Sequence, residues 1–562
     1  MSNYKAVMGC LLAGCCLLLP ASCQKPVNQL DKYFAGLPFE MPSIRPPKFP
    51  GYTVNITDFG ARPNGDFNNA TAINRAIQTC AQAGGGKVII PAGIWHTGPI
   101  VLKSNINLHL NKDAILLFSG KFEDYPLIET SWEGVPGVRC TSPVSGKDLE
   151  NIAITGKGII DGAGDNWRPV LRSETTRAQW QELVQSGGVV RAGYGTRVWW
   201  PSAGAANGKE LVAFLDNSPE ATLSDYAGAR EYLRPVLISL IGCKNVLLDG
   251  PTFQNSPAWN IHPLLCENVI IRNITVRNPW YSVNGDGLDI ESCKNVLVYN
   301  ATFDVGDDAI CIKSGKNEFG RKRGVPSENI IITNCTVYHG HGGVTIGSEM
   351  SGGVRNVAVK DCRFMGTEVG LRFKTTRGRG GIVENIFIKD VLMKSIKTDA
   401  IRFNMFYDNK AASLDDYKEN VDNQTNVSIT EETPRFRKIH IDNVVCYNAG
   451  RAVFLRGLPE MAIRNIAIAN TYISSTYGVL AMDAEGVSFE DVIIKSADTP
   501  KYTLHNSRNI QISHNDRIEF TRLFLQLSGR RTENIRLAGF EKVTIGQLVK
   551  IGREVKEGAL VY

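Results

Sequence analysis

Three carboxylates, one imidazole and two cations fall at repeating intervals in the chain. Asp286 precedes Asp307 and Asp308 by 21 and 22 residues, His341 lies 33 beyond Asp308, and Arg372 and Lys374 follow about one interval later. Carboxylates brought together repel, so at least one pKa must rise and one acid can stay protonated beside ionised neighbours. Glycoside hydrolysis uses that combination: the acid protonates the leaving oxygen while a base activates water. Arg372 suits bidentate carboxylate binding, so with Lys374 it would hold an anionic sugar. Taken singly, each residue is ordinary. An Asp in a Gly-rich turn usually forms the turn, a lone His is usually structural, and Arg-x-Lys on a strand is usually a solvated face. The chemistry requires all six to share one groove. The stretch VGDDAICIKSG adds a local problem, because on a regular strand Asp307 and Asp308 would point to opposite faces and one would enter the core. A bend is therefore expected there, with Gly306 permitting it.

The elements that must position these residues are repeats. Asn245, Asn268, Asn295, Asn329, Asn356, Asn385 and Asn465 each open a run of alternating apolar residues followed by a second short β run; Asn151 opens an earlier one, and Lys438 a degenerate one. The first six are 23, 27, 34, 27 and 29 residues apart. Alternation over so few residues, with turn residues between, means strands. Strand-only repeats of this length predict an all-β fold, a right-handed single-stranded parallel β-helix with one coil per repeat. The asparagines would then stack at one turn. Cys243, Cys266 and Cys293 sit two residues before the repeated Asn, and Cys335 and Cys362 six after it. The cysteines therefore read as core stacks, not as disulfides or a zinc site. A helical segment at about 69–83, capped by Asn68 or Asn69 and ended by Gly84–Gly86, would cover the N-terminal end of the stack. Residues 167–235 interrupt the repeat as an insertion on one side, and 408–435 form a polar acidic loop.

A net charge of +6 on 562 residues is a soluble surface, too weak to indicate nucleic acid as a partner. Lys5 followed by AVMGCLLAGCCLLLPASC reads as an export signal of lipoprotein type. Cys15 matches the usual wording of such a signal, but Cys23 leaves a more normal apolar length and is the expected lipidation site. The predicted organisation is a signal at 1–22, an N-terminal extension at 23–50 and one catalytic β-helix at 51–562. It implies an exported protein, periplasmic or on the outer membrane of a bacterium, with a membrane contact through acyl chains if Cys23 is modified.

From about Val54 to Tyr407 these segments resemble glycoside hydrolase family 28, the polygalacturonases. That family's Asn-Thr-Asp, Gly-Asp-Asp, Gly-His-Gly and Arg-Ile-Lys blocks correspond to Asn284-Gly285-Asp286, Gly306-Asp307-Asp308, Gly340-His341-Gly342 and Arg372-Phe373-Lys374. The resemblance implies an inverting hydrolase of α-1,4-galacturonosyl bonds in pectin, needing no cofactor or metal. It implies Asp307 as proton donor, Asp286 and Asp308 as activators of water, and His341 as support for the acid. Arg372 and Lys374 would bind the galacturonate carboxylate, Asn284 would orient its neighbours, and His262 and Tyr407 would contact sugar. Gly285 and Phe373 depart from the pattern. The wording GDGLDIES and the 167–235 insertion look more like exo-acting members, which implies release of galacturonate from chain ends. Other readings are a rhamnogalacturonan or xylogalacturonan hydrolase of the same family, a Ca²⁺-dependent pectate lyase with the three aspartates as metal ligands, and a non-catalytic polysaccharide-binding β-helix.

Overall fold

Each run of alternating apolar residues folds as a strand and pairs in parallel with its counterpart in the next repeat. A computed structural model describes residues 30–407, 415, 427–513, 523–540 and 548–562. Cys15 and Cys23, and most of the 408–435 loop, lie outside the described residues. Within them, 34 strands from Thr53–Asn55 to Leu560–Val561 join in one sheet wound as a parallel β-helix. The register confirms one coil per repeat. Val246 pairs with Val269, Val269 with Val296, Val296 with Ile330, Ile330 with Val357, and Val357 with Ile386. All six side chains are buried, so each coil covers the apolar face of the one before it.

The repeated asparagines form the expected ladder. Each side-chain amide donates to the amide oxygen of the Asn one coil earlier, from Asn151 onto Asn105 (3.0 Å) through Asn385 onto Asn356 (3.4 Å). Every one of these asparagines has a left-handed backbone, φ between 53° and 60°. Asn tolerates that conformation better than other side chains bearing Cβ, and its amide both donates and accepts. Lys438 holds the same φ (55°) without an amide. A second, shorter ladder runs from Asn334 to Asn300 to Asn273 and ends on Asp249.

The cap helix spans Ala70–Gln82 and buries Ala72, Ile73, Ala76, Ile77 and Cys80 on the end of the stack. Its N-terminal amide at Ala70 is taken by Asn68, while the Asn69 side chain turns away to bond Arg62, Phe67 and His96. All nine cysteines from Cys80 to Cys446 are buried free thiols. The segment before the first coil lies across the outside of one face, where Leu30 and Ile44 pack on Leu247, Ile270, Leu297 and Ile331. Between the strands Ile159–Asp161 and Ile238–Ile241 the coil is interrupted. The intervening chain builds a three-stranded antiparallel sheet and two helices, Arg177–Gln185 and Ala203–Asp216.

Candidate active site

The catalytic candidates precede strands that stack on one another. Leu288 pairs with Ile310 and Ile310 with Val344. Two residues before each of these strand positions stand Asp286, Asp308 and Gly342; three before stand Asp307 and His341. Asp286 and Asp308 therefore occupy equivalent places on successive coils, as do Asp307 and His341. The adjacent aspartates lie in a turn before the strand Ile310–Lys313, which resolves the problem posed by their sequence. The chain does bend at Gly306 and Asp307, and what requires glycine at that bend is room. The Gly306 backbone φ is not left-handed, but a Cβ would come within 2.5 Å of the Pro279 carbonyl oxygen and Ser282 Oγ. Gly285 has a similar reason, since a Cβ there would run into Ser282. A Thr at 285 is incompatible with that serine.

Carboxylate oxygens of Asp286, Asp307 and Asp308 lie within 4.8 Å of one another. Asp308 is fully buried and accepts from Lys374 Nζ (2.7 Å), Thr345 Oγ1 (2.9 Å) and Arg372 Nη1 (3.1 Å). Burial works to raise its pKa, but the charges of Lys374 and Arg372 outweigh that and hold it far below the usual range. Asp307 faces His341, with Nδ1 3.0 Å from its carboxylate. Burial again opposes ionisation, and the imidazolium more than offsets it, so Asp307 is lowered. The Asp307 charge lifts His341 to about 9, against the effect of burial. Asp286 has no cation bonded to it, and its Oδ1 is buried with no hydrogen-bond partner among the described residues. Burial first, then the charges of Asp307 and Asp289, push it well above the ordinary value. The cluster thus sets one carboxyl pushed well above its ordinary value beside two that are lowered, with the imidazole raised to about 9. Arg372, Lys374 and His341 already supply the positive charge that a divalent cation would bring, which disfavours the three aspartates as calcium ligands.

The remaining candidates surround this cluster. Tyr407 is partly exposed and its ring lies 4.8 Å from Lys374 Nζ. Asn284 accepts from Arg234 Nη2 at 2.9 Å. His262 is buried, its Nε2 bonded to Glu291 at 2.9 Å, so that nitrogen faces the protein and not a ligand. Phe373 points inward and stacks on Phe403 at 4.1 Å, one coil on. An aromatic replaces the family's aliphatic residue there without touching the outer face.

Several charged residues beneath the cluster were not singled out from the sequence. Lys313 Nζ lies 3.0 Å from Glu349 and 3.5 Å from Asp289, all three buried. Burial drives Asp289 up to about 8, while Lys313 holds Glu349 near 2 against the same effect. Their signal was present, because Asp289 and Lys313 lie in the same short segments as Asp286 and Asp308 and on outward positions of the strands.

A family model for glycosyl hydrolases family 28 matches residues 178–440. An exopolygalacturonase structure from Thermotoga maritima is 34% identical, with a TM-score of 0.67, covering 82% of this chain and 95% of that one. A probable polygalacturonase of Vitis vinifera is 28% identical over 75% of this chain and 74% of its own. The exo-poly-alpha-D-galacturonosidase of Dickeya chrysanthemi is 30% identical over 64% of this chain, which spans 58% of the length of that relative.

Proposed function

The chain belongs to glycosyl hydrolase family 28, and from that premise we propose that it removes galacturonate from the ends of pectic galacturonan with inversion at the cleaved carbon. The observation that carries the reading is the trio of carboxylates within 4.8 Å, flanked by Arg372 and Lys374. Asp308, fixed by three donors, is the base that takes a proton from water; Asp286, whose carboxyl is pushed well above its ordinary value and whose Oδ1 has no partner among the described residues, holds that water. Asp307 delivers the proton to the leaving oxygen. Because Asp307 is ionised in the free protein, that proton must reach it first, and His341 Nδ1, 3.0 Å away, is the source. Lys374 has three N–H groups and Arg372 five, so donors beyond those spent on Asp308 remain for a sugar carboxylate. Tyr407 lines the same side.

The exo reading is supported by the insertion at 167–235 and by the Thermotoga relative. Its test is the product pattern on polygalacturonate, with rhamnogalacturonan in parallel. Galacturonate alone should accumulate from the first minutes, and early oligomers of mixed length would refute exo action. On its first 23 residues alone we place the protein outside the cytoplasm, anchored through acylated Cys23. Fatty-acid labelling should be lost in a Cys23→Ala variant; labelling that persists would refute Cys23 as the acylated residue, and no labelling of the wild type would refute the anchor.

A further inference from the structure

Arg372 and Lys374 lie on the C-terminal side of the carboxylates along the axis. On the other side stands an arginine that has not been given a task. Arg139 belongs to the antiparallel hairpin Leu127–Trp132 and Val135–Cys140, which precedes the coil of Val144–Lys147. Its guanidinium lies 4.2 Å from the Trp132 ring, which stacks at 4.8 Å on Trp259, and Lys313 Nζ lies 4.6 Å from that second ring. Contacts therefore run unbroken from Arg139 to the charged residues under Asp286. Among the described residues no side chain bonds to the Arg139 guanidinium, and its Nε is buried without a partner.

Its neighbour makes the charge harder to explain as structure. Arg234 donates to the carbonyls of Pro257 (3.0 Å) and Val283 (2.9 Å) and to Asn284 Oδ1 (2.9 Å), with no carboxylate bonded to it among the described residues. Burial pushes Arg139 down to about 10; Tyr232 opposes that and the charge of Arg234 adds to it. The nearby Glu133 is paired with Lys316 at 3.3 Å. Two neighbouring guanidinium groups, Arg234 buried and Arg139 half-buried with its Nε enclosed, have no carboxylate bonded to them among the described residues, and partial desolvation of unpaired charge costs stability. A bound anion would recover it.

We infer that Arg139, backed by the Trp132–Trp259 stack, receives the carboxylate of the terminal galacturonate, across the scissile bond from Arg372 and Lys374. The inference rests on the galacturonan reading and deepens it. A polymer with a carboxylate on every ring presents one on each side of the cut, and here a cation waits on each side. Arg234, with three of its N–H groups committed to Pro257, Val283 and Asn284, positions Asn284 and adds charge.

The test compares trigalacturonate with the same trimer whose terminal carboxyl is reduced to a primary alcohol. Arg139→Met retains an unbranched stem against Trp132 and removes the charge. It should lower kcat/KM on trigalacturonate roughly 10- to 100-fold, the range for a hydrogen bond to a charged group, chiefly through KM. On the reduced trimer the loss should stay under roughly threefold, and Arg139→Lys should recover part of the difference. Equal losses on both trimers, or none on trigalacturonate, would overturn the inference. Should Arg139→Met fail to fold, wild-type enzyme that turns over both trimers alike overturns it equally. If wild-type enzyme cleaves neither trimer, the hydrolase reading fails, and calorimetric titration with galacturonate still judges Arg139: binding weakened by Arg139→Met supports its role, and unchanged binding removes it.

Discussion

Replacing His341 with Gln separates two sources of the catalytic proton. His341 is raised from 6.5 to about 9 chiefly by Asp307, 3.0 Å away. For a dry pair that rise would correspond to roughly 3 kcal/mol. The ring is 48% exposed, so solvent screening reduces its contribution to stability to about 1 kcal/mol. The sign follows from a raised folded pKa: the stabilisation is complete below about pH 6.5 and disappears as pH climbs through about 9. His341→Gln should therefore cost about 1 kcal/mol in urea denaturation at pH 6 and nearly nothing at pH 10. The catalytic effect should be larger. If the imidazolium recharges Asp307, wild-type kcat falls as pH rises through about 9, and His341→Gln lowers kcat ~10²- to 10⁴-fold at pH 7. The variant's alkaline limb should also move several pH units toward acid, since Asp307 must then keep its proton unaided. The assay is reducing-sugar release from trigalacturonate between pH 3 and 10. An alkaline limb still near 9 in His341→Gln would refute the relay and make Asp286, whose carboxyl is pushed well above its ordinary value, the donor.

Asp308→Asn leaves Lys374 and Arg372 buried without their counter-charge, and should cost about 3–5 kcal/mol of stability in urea titration. Because the Asp308 pKa is depressed in the fold, its stabilisation is present above about pH 4 and lost as pH falls below it; the variant should show a flatter acid limb, and a limb identical to wild type would remove Asp308 from the linkage. Proton NMR during the first turnovers should find the β-anomer at the new reducing end when an α-linkage is cut. The 4.8 Å cluster is tighter than the roughly 6.5–9.5 Å usual for inverting pairs, so retention would mean that one aspartate acts as nucleophile. Chelator should leave activity unchanged and the product should not absorb in the ultraviolet; loss of activity with chelator together with an unsaturated product would establish a lyase.

The β-helix was legible in the sequence because its cause is periodic: an Asn able to take positive φ, then alternating apolar residues, recurring at coil length. The same period set Asp286 above Asp308 and Asp307 above His341, since equal offsets from stacked strands become neighbours without further information. The second ladder through Asn273, Asn300 and Asn334 was written there too, five residues after the first, and only needed reading. Tertiary structure alone decided what each charge does. That Asp308 is lowered depends on where Lys374 and Arg372 end their side chains, that Asp286 is raised depends on its burial beside Asp307 and Asp289, and that His262 turns to Glu291 depends on packing across coils. Gly285 became intelligible only beside Ser282, and Arg139 only beside Trp132 and Arg234. Such contacts join segments with no common period, so no repeat in the chain announces them.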